Sequence, residues 1–117
     1  MSDPLDERTA QALQDIVGFA AELRGYVVTH GEEHFRADRP TQLVAEALLH
    51  RVGEAVSRLA VEFTATHPEV AWRQIKGMRN VVAHQYGFID YRIVWRALTE
   101  DLPRDVKHIQ TLLGHSV

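Results

Sequence analysis

The sequence predicts an all-α protein: an up-and-down antiparallel four-helix bundle with an additional short C-terminal helix, as a single domain over residues 1–117. Three observations predict it. Apolar residues recur at three- and four-residue intervals along most of the chain, and no stretch alternates with the two-residue period of a strand. The breaks between periodic stretches are short, which makes antiparallel neighbours the natural packing. With 117 residues, 45% of them hydrophobic and 25% charged, the chain has material for one core and not two.

The first helix opens with Asp3 as its N-cap and Pro4 at its first position, and runs through Leu13, Ile16, Val17, Phe19, Ala20, Leu23 and Val27. Gly, charged residues and Pro in "GEEHFRADRP" break the period and predict a loop ending at Pro40. A second helix starts near Thr41. Its apolar stripe, Leu43, Ala47, Leu48, Val52, Ala55, Val56, Leu59 and Phe63, is wide enough to pack on two neighbours and ends around "THP". A third helix begins at Pro68 with Glu69 in its first turn, buries Ala71, Trp72, Ile75, Met78 and Val82 on one side, and stops at Gly87. Asp90 caps a fourth helix through Ile93, Val94, Trp95 and Leu98. "EDLPRDVKHIQTLLG" supplies the short last one.

Composition narrows the chemistry. The chain has no cysteine, which excludes disulfides, thiolate zinc sites and cysteine nucleophiles. Apolar runs no longer than "VGFAA" or "LVAEALL" predict neither a membrane span nor a secretory signal, so the expected location is cytoplasmic. The formal charge of −3 conceals an asymmetry: five basic residues (Arg73, Lys76, Arg79, Arg92, Arg96) face two acids (Glu69, Asp90) between positions 69 and 96. Either a solvated helix face or a phosphate-binding face has this composition.

In "GMRNVVAHQYGFIDY", polar residues interrupt an apolar helix. At the helical angle per residue, Trp72, Ile75, Met78 and Val82 share one arc. Asn80 and His84, four residues apart, fall on nearly the opposite face, and Arg79 lies at the flank. His84 therefore points away from its own core. Facing water is one reading of that pattern, and a site is the other. An imidazole with a pKa near ~6.5 takes or returns a proton at neutral pH, and a guanidinium holds a phosphate while stabilising charge that develops on it. Such a pair suits cleavage of RNA by its own 2′-hydroxyl, where the nucleophile belongs to the substrate and no metal or cofactor is needed. Asn80 would orient the imidazole or contact the phosphate.

"MRNVVAHQYG" resembles the R-x4-H-x-Y signature of HepT-like proteins in the HEPN superfamily of helical ribonucleases. "VGEAVSRL", "HPEVAWRQIKGMRN" and "IVWRALTEDLP" are similar to the same family in order and spacing, so the resemblance covers residues 9 to 113. It implies that Arg79 and His84 are the catalytic pair of a metal-independent endoribonuclease, with Asn80 as the polar residue after the arginine. It implies a homodimer whose two motifs face a shared cleft, which would give a histidine turned away from its own core something to face. It also implies a type II toxin acting on tRNA or mRNA, neutralised by a cognate nucleotidyltransferase antitoxin that transfers AMP to Tyr86. On the residues alone, Tyr86 reads as a ring packed at a helix end with a wetted hydroxyl. Glu54, inside the apolar "VGEA", is either an exposed helix residue or a paired buried acid, and the resemblance makes it a support of the cleft, bonded to Arg79.

Other readings compete. A helical dimer that binds RNA, nucleotide or a protein partner without chemistry would have the same bundle. "HGEEH", His30 to His34, fits a metallopeptidase string, but Gly31 interrupts it and that chemistry needs both histidines on one rigid helix. Trp72, Trp95 and Phe88 read as core residues before they read as base-stacking ones.

Overall fold

A computed structural model of the chain describes residues 5–83 and 90–114, with side chains for 5–78 and 90–114. Within these the protein is all-α, a helical bundle without strands. Its elements are α1 (Glu7–Tyr26), a 3₁₀ turn (Val28–His30), α2 (Glu32–Ala37), α3 (Arg39–Ser57), α4 (Val61–Thr66), α5 (Trp72–Ala83), α6 (Tyr91–Arg96), a π-helical turn (Ala97–Asp101) and α7 (Leu102–Gly114). Helix α3 packs on both α1 and α5, and α1 packs on α7.

Capping decides where the helices begin. Asp6, not Asp3, caps α1 by accepting from the Thr9 backbone N–H at 2.7 Å; Asp3 and Pro4 lie outside the described residues. Asp38 caps α3 by accepting from the Thr41 N–H at 3.0 Å and from its hydroxyl, which places Pro40 in the first turn of the helix and not at the end of a loop. Asp90 caps α6 as the sequence predicts, with Arg92 N–H at 3.0 Å. These bonds hold the three carboxyls below their ordinary range. The largest cause is the Thr9 backbone for Asp6, the Thr41 hydroxyl for Asp38 and the Arg92 side chain for Asp90.

The stretch expected to be a loop contains α2. Gly31 enters it at φ 90°, a backbone conformation that a side chain would strain. One residue then seats the short helix: Phe35 is fully buried, with ring centroids 5.4 Å from Tyr91 in edge contact and 5.5 Å from Trp95. The buried Gln42 side chain of α3 donates to the Phe35 and Arg36 carbonyls at 3.0 and 3.1 Å, satisfying acceptors that the end of so short a helix leaves open.

The second predicted helix is interrupted. Arg58 and Leu59 close three-residue turns onto Ala55 and Val56, Ala60 becomes extended, and α4 follows as a separate turn and a half. Thr64 and Thr66 donate their hydroxyls to carbonyls of the same short helix, a competition that disfavours length. The stripe is also narrower than the sequence suggests: Ala45, Leu48, Leu49, Val52, Ala55 and Val56 are buried, whereas Leu43 is 49% exposed and Ala47 faces outward. Helix α5 starts at Trp72, four residues after the predicted start, because 68–71 form a turn. The Trp72 indole donates to the His67 carbonyl at 2.8 Å and holds that turn.

Helices α6 and α7 are one continuous run. Pro103 has no N–H and its ring would collide with the carbonyl four residues back in a regular helix. The π turn just ahead of it, with Leu102 N–H bonded to the Ala97 carbonyl, widens the ladder there and lets the helix continue. Val94, Leu98, Leu102 and Ile109 all remain buried through the turn.

Phe35→Ala is expected to cost about 3–5 kcal/mol in urea unfolding, as for other large-to-small changes at fully buried aromatics. A loss below 1 kcal/mol would mean that α2 contributes little to the core. The carboxyls of Asp6, Asp38 and Asp90, and that of Asp15 lowered by Arg58 at 2.6 Å, titrate below their ordinary value of 3.8. Their stabilisation is therefore complete above that value and is lost as pH falls through the folded-state values. Thermal midpoints should decline below about pH 4, and Asp38→Asn should flatten part of that decline.

Candidate functional site

Helix α5 carries the first half of the motif. Trp72, Ile75 and Met78 turn into the core at 8, 0 and 9% exposure, as their spacing predicts. With that face fixed against α3, Arg79 and Asn80 occupy the last turns of the described helix. Their side chains, and His84 and Tyr86 entirely, lie outside the described residues, as do Val82 on the predicted core face, the predicted stop at Gly87, and Phe88.

Glu54 sits on α3, the helix against which α5 packs. It is exposed, on the side of α3 opposite the buried Val52 and Val56. It lines a cleft of about 490 Å³ together with Phe19, Ala47, His50, Arg51 and Arg58. The expected bond to Arg79 involves a side chain outside the described residues. Glu54 is not a buried acid.

Two long-range devices that the sequence does not reveal fix the chain on either side of residues 84–89. Upstream, the carboxylate of Asp105 on α7, 3% exposed, accepts from the Ala71 N–H at 3.2 Å and so ties the residue that opens α5 to the last helix. Downstream, the Tyr91 hydroxyl at the start of α6 donates to Glu46 of α3 at 2.9 Å, and Arg39 donates to both at 3.1 Å. Burial first, and then the Glu46 bond, push the Tyr91 phenol up from its ordinary value. No local pattern announces either pairing, because the partners are 34 and 45 residues apart.

The "HGEEH" string is split between elements. His30 ends the 3₁₀ turn, Gly31 breaks the backbone at φ 90°, and His34 lies in α2 with its Nε2 3.2 Å from the Thr41 hydroxyl and 3.6 Å from Asp38. Both histidines on one rigid helix, the condition for that metal chemistry, is not met. Among the described residues no helix is long and apolar enough to cross a membrane.

The chain is a helical bundle whose core-facing helix α5 carries Arg79 and Asn80. The profile described as "Ribonuclease HepT-like" matches residues 6–112, and the chain belongs to this HepT-like family of the HEPN superfamily. It is similar to a probable ribonuclease HepT of Thermococcus cleftensis, 35% identical over 71 residues covering 61% of this chain and 64% of that protein. A putative RNase of Caldanaerobacter subterraneus is 37% identical over 65 residues, covering 56% of this chain and 58% of its own length. One from Methanocaldococcus jannaschii is 31% identical over 81 residues, covering 69% and 67%. The chain thus spans less than two thirds of the length of the first two. No solved structure matches significantly.

Asp105→Ala is expected to destabilise the fold by roughly 1–3 kcal/mol, since it leaves a part-buried backbone N–H without its acceptor. Asp105→Asn retains an acceptor oxygen and should cost less. Equal losses in the two variants, measured by urea unfolding, would show that the charge matters and not the bond to Ala71.

Proposed function

We propose that this chain is a metal-independent endoribonuclease, the toxin of a type II toxin–antitoxin pair, working as a homodimer. The observation that carries this reading is the sequence Arg79-x4-His84-x-Tyr86 in a chain whose family match runs over residues 6–112. Relatives named as ribonucleases support it.

In the proposed reaction the substrate's O2′ attacks the adjacent phosphorus. The P–O5′ bond breaks as the O2′–P bond forms, leaving a 2′,3′-cyclic phosphate and a free 5′-hydroxyl. His84 handles the proton that leaves O2′ and the one that O5′ gains. Arg79 holds the phosphate and stabilises its added negative charge, with Asn80 assisting. Glu54, on the neighbouring helix, supports the arginine. Because substrate and nucleophile are one molecule, positioning supplies much of the rate.

Exposure on α3 supports the dimer. Leu43 and Val44 are 49 and 38% exposed beside the outward-facing Ala47, and His50 and Glu54 continue that face along the helix. A second copy seated there would cover the apolar turns and border the cleft that Glu54 lines. Neutralisation follows from the same geometry of sequence: AMP joined to the Tyr86 hydroxyl by the partner nucleotidyltransferase adds a nucleoside and a negative phosphate two residues from His84, opposing RNA by bulk and by charge. The rival reading is a dimer that binds RNA, nucleotide or protein without cutting. It shares the exposed α3 face and differs in having no chemistry to lose.

Purified protein whose intact mass excludes AMP, incubated in EDTA with total RNA and with tRNA, should cleave. His84→Ala should lower the rate by about 10²–10⁴-fold, and its unfolding midpoint should stay unchanged. Absence of cleavage by the unmodified wild type would replace the enzyme with the binding dimer.

A further inference from the structure

The ribonuclease reading concerns one phosphate, whereas an RNA strand continues on both sides of it. Four cations of the basic stretch are described, and they divide cleanly. Arg92 lies 3.4 Å from Asp90, and Arg96 lies 3.6 Å from Glu100, so each is paired along its own helix. Arg73 and Lys76 on α5 are exposed, and among the described residues neither has a carboxylate within ion-pair distance. They precede Asn80 by seven and four residues, spacings that share one helix face.

Beside them opens a groove of about 680 Å³ between the end of α3, α4 and the start of α5. Val61, Pro68, Val70 and Trp72 contribute an apolar floor, and Arg73, Gln74 and Lys76 form one wall. No acidic residue lines it. Of the two acids on the flanking segment, Glu69 is drawn to His67, 3.4 Å away, and Glu62 lies outside the lining. Val61 is 78% exposed on that floor. A cationic wall along an open apolar trough, free of carboxylates, matches a strand with an anionic backbone and flat apolar bases.

We infer that Arg73 and Lys76, with the groove beside them, hold the single-stranded RNA that flanks the scissile phosphate. The phosphates of a few nucleotides lie against the two cations, and a base rests on the floor formed by Val61 and Pro68. By the helical rise of about 1.5 Å per residue, Lys76 stands about 6 Å and Arg73 about 10 Å along α5 from Asn80. A strand of that length leads from the motif to the groove without leaving the helix. The inference rests on the ribonuclease reading for the position of the scissile phosphate, and not for the binding itself.

The test uses the unmodified full chain and a fluorescent 2′-O-methyl RNA 20-mer, which binds but has no free 2′-hydroxyl to react, with affinity measured by anisotropy across a salt series. Arg73→Ala with Lys76→Ala should weaken binding roughly tenfold near physiological salt and reduce the slope of log affinity against log salt by about 0.7 per phosphate lost. Arg8→Ala with Lys107→Ala, which removes the same charge elsewhere, should leave the slope as it is. With a cleavable 20-mer the double variant should raise KM and leave kcat near wild type, while a dinucleotide substrate is cut as before. A loss no larger than that of the control pair would overturn the inference and leave the groove to a protein partner. Salt-sensitive binding lost in the double variant of a protein that cuts nothing would overturn the ribonuclease reading and keep this one. Unimpaired cutting and binding by the double variant would do the reverse.

Discussion

Everything that positions the candidate site depends on α3 being buried from two sides. Leu49, Val52, Ala55 and Val56 are almost fully removed from water, with Ala45 and the buried Gly53 keeping the helix slim where neighbours press close. Each large apolar side chain of this set contributes on the order of 1.5–3 kcal/mol relative to exposure. Together they make α3 the element on which α1 and α5 are both laid. The rotation of α5 follows from that contact: Trp72, Ile75 and Met78 turn into the core, and Arg73 and Lys76 are left exposed. The exposed side of α5 is chosen here by the apolar residues across the helix from it.

Apolar burial leaves the position of each helix along its axis loosely determined, and polar bonds between distant residues supply it. Asp105 pins the start of α5 to α7, Glu46 and Arg39 pin the start of α6 to α3, and Gln42 closes the end of α2. All three involve part-buried groups whose partners would be costly to leave unsatisfied. The bundle therefore has a greasy middle that chooses faces and a set of polar ties that choose register.

The sequence revealed what is periodic and concealed what is not. Ile16, Val52 and Ile75 each recur with neighbours three and four residues away, and the helices containing them were readable. The short α2 was missed because its residues are those of a loop and only Phe35 buries itself, too little for a period to show. The break at 58–60 was missed because Leu59 and Phe63 keep the spacing of the helix before it. The π turn was missed because a proline ordinarily ends a helix, and only the three-dimensional path shows that α6 and α7 are one. Of the candidate site, the backbone of Arg79 and Asn80 falls on α5 as the periodicity predicts, and His84 and Tyr86 lie outside the described residues. Asp105, Tyr91 and Glu46 were not legible, since nothing in the thirty or more intervening residues links them. The inward or outward direction of Glu54 was equally hidden, because a glutamate among alanines and valines is consistent with either.

The π turn carries a further consequence. Val94, Leu98 and Leu102 stand at intervals of four, which would drift around a regular helix. The wider turn absorbs that drift, so Ile109 remains in phase with Val94. The segment Ala97–Asp101 thus acts as a vernier between two halves of one rod. Removing a single residue there would restore the regular ladder with the two halves still in phase, but would return the Pro103 ring to the carbonyl four residues back. A deletion elsewhere in the rod would swing one half against the other by about 100° and turn either Val94 or Ile109 out of the core. The loop-like tolerance to length change that a proline-containing stretch suggests is absent, and homologous chains can vary in length more cheaply at the true turns near Gly31 and Ala60 than at this unbroken helix.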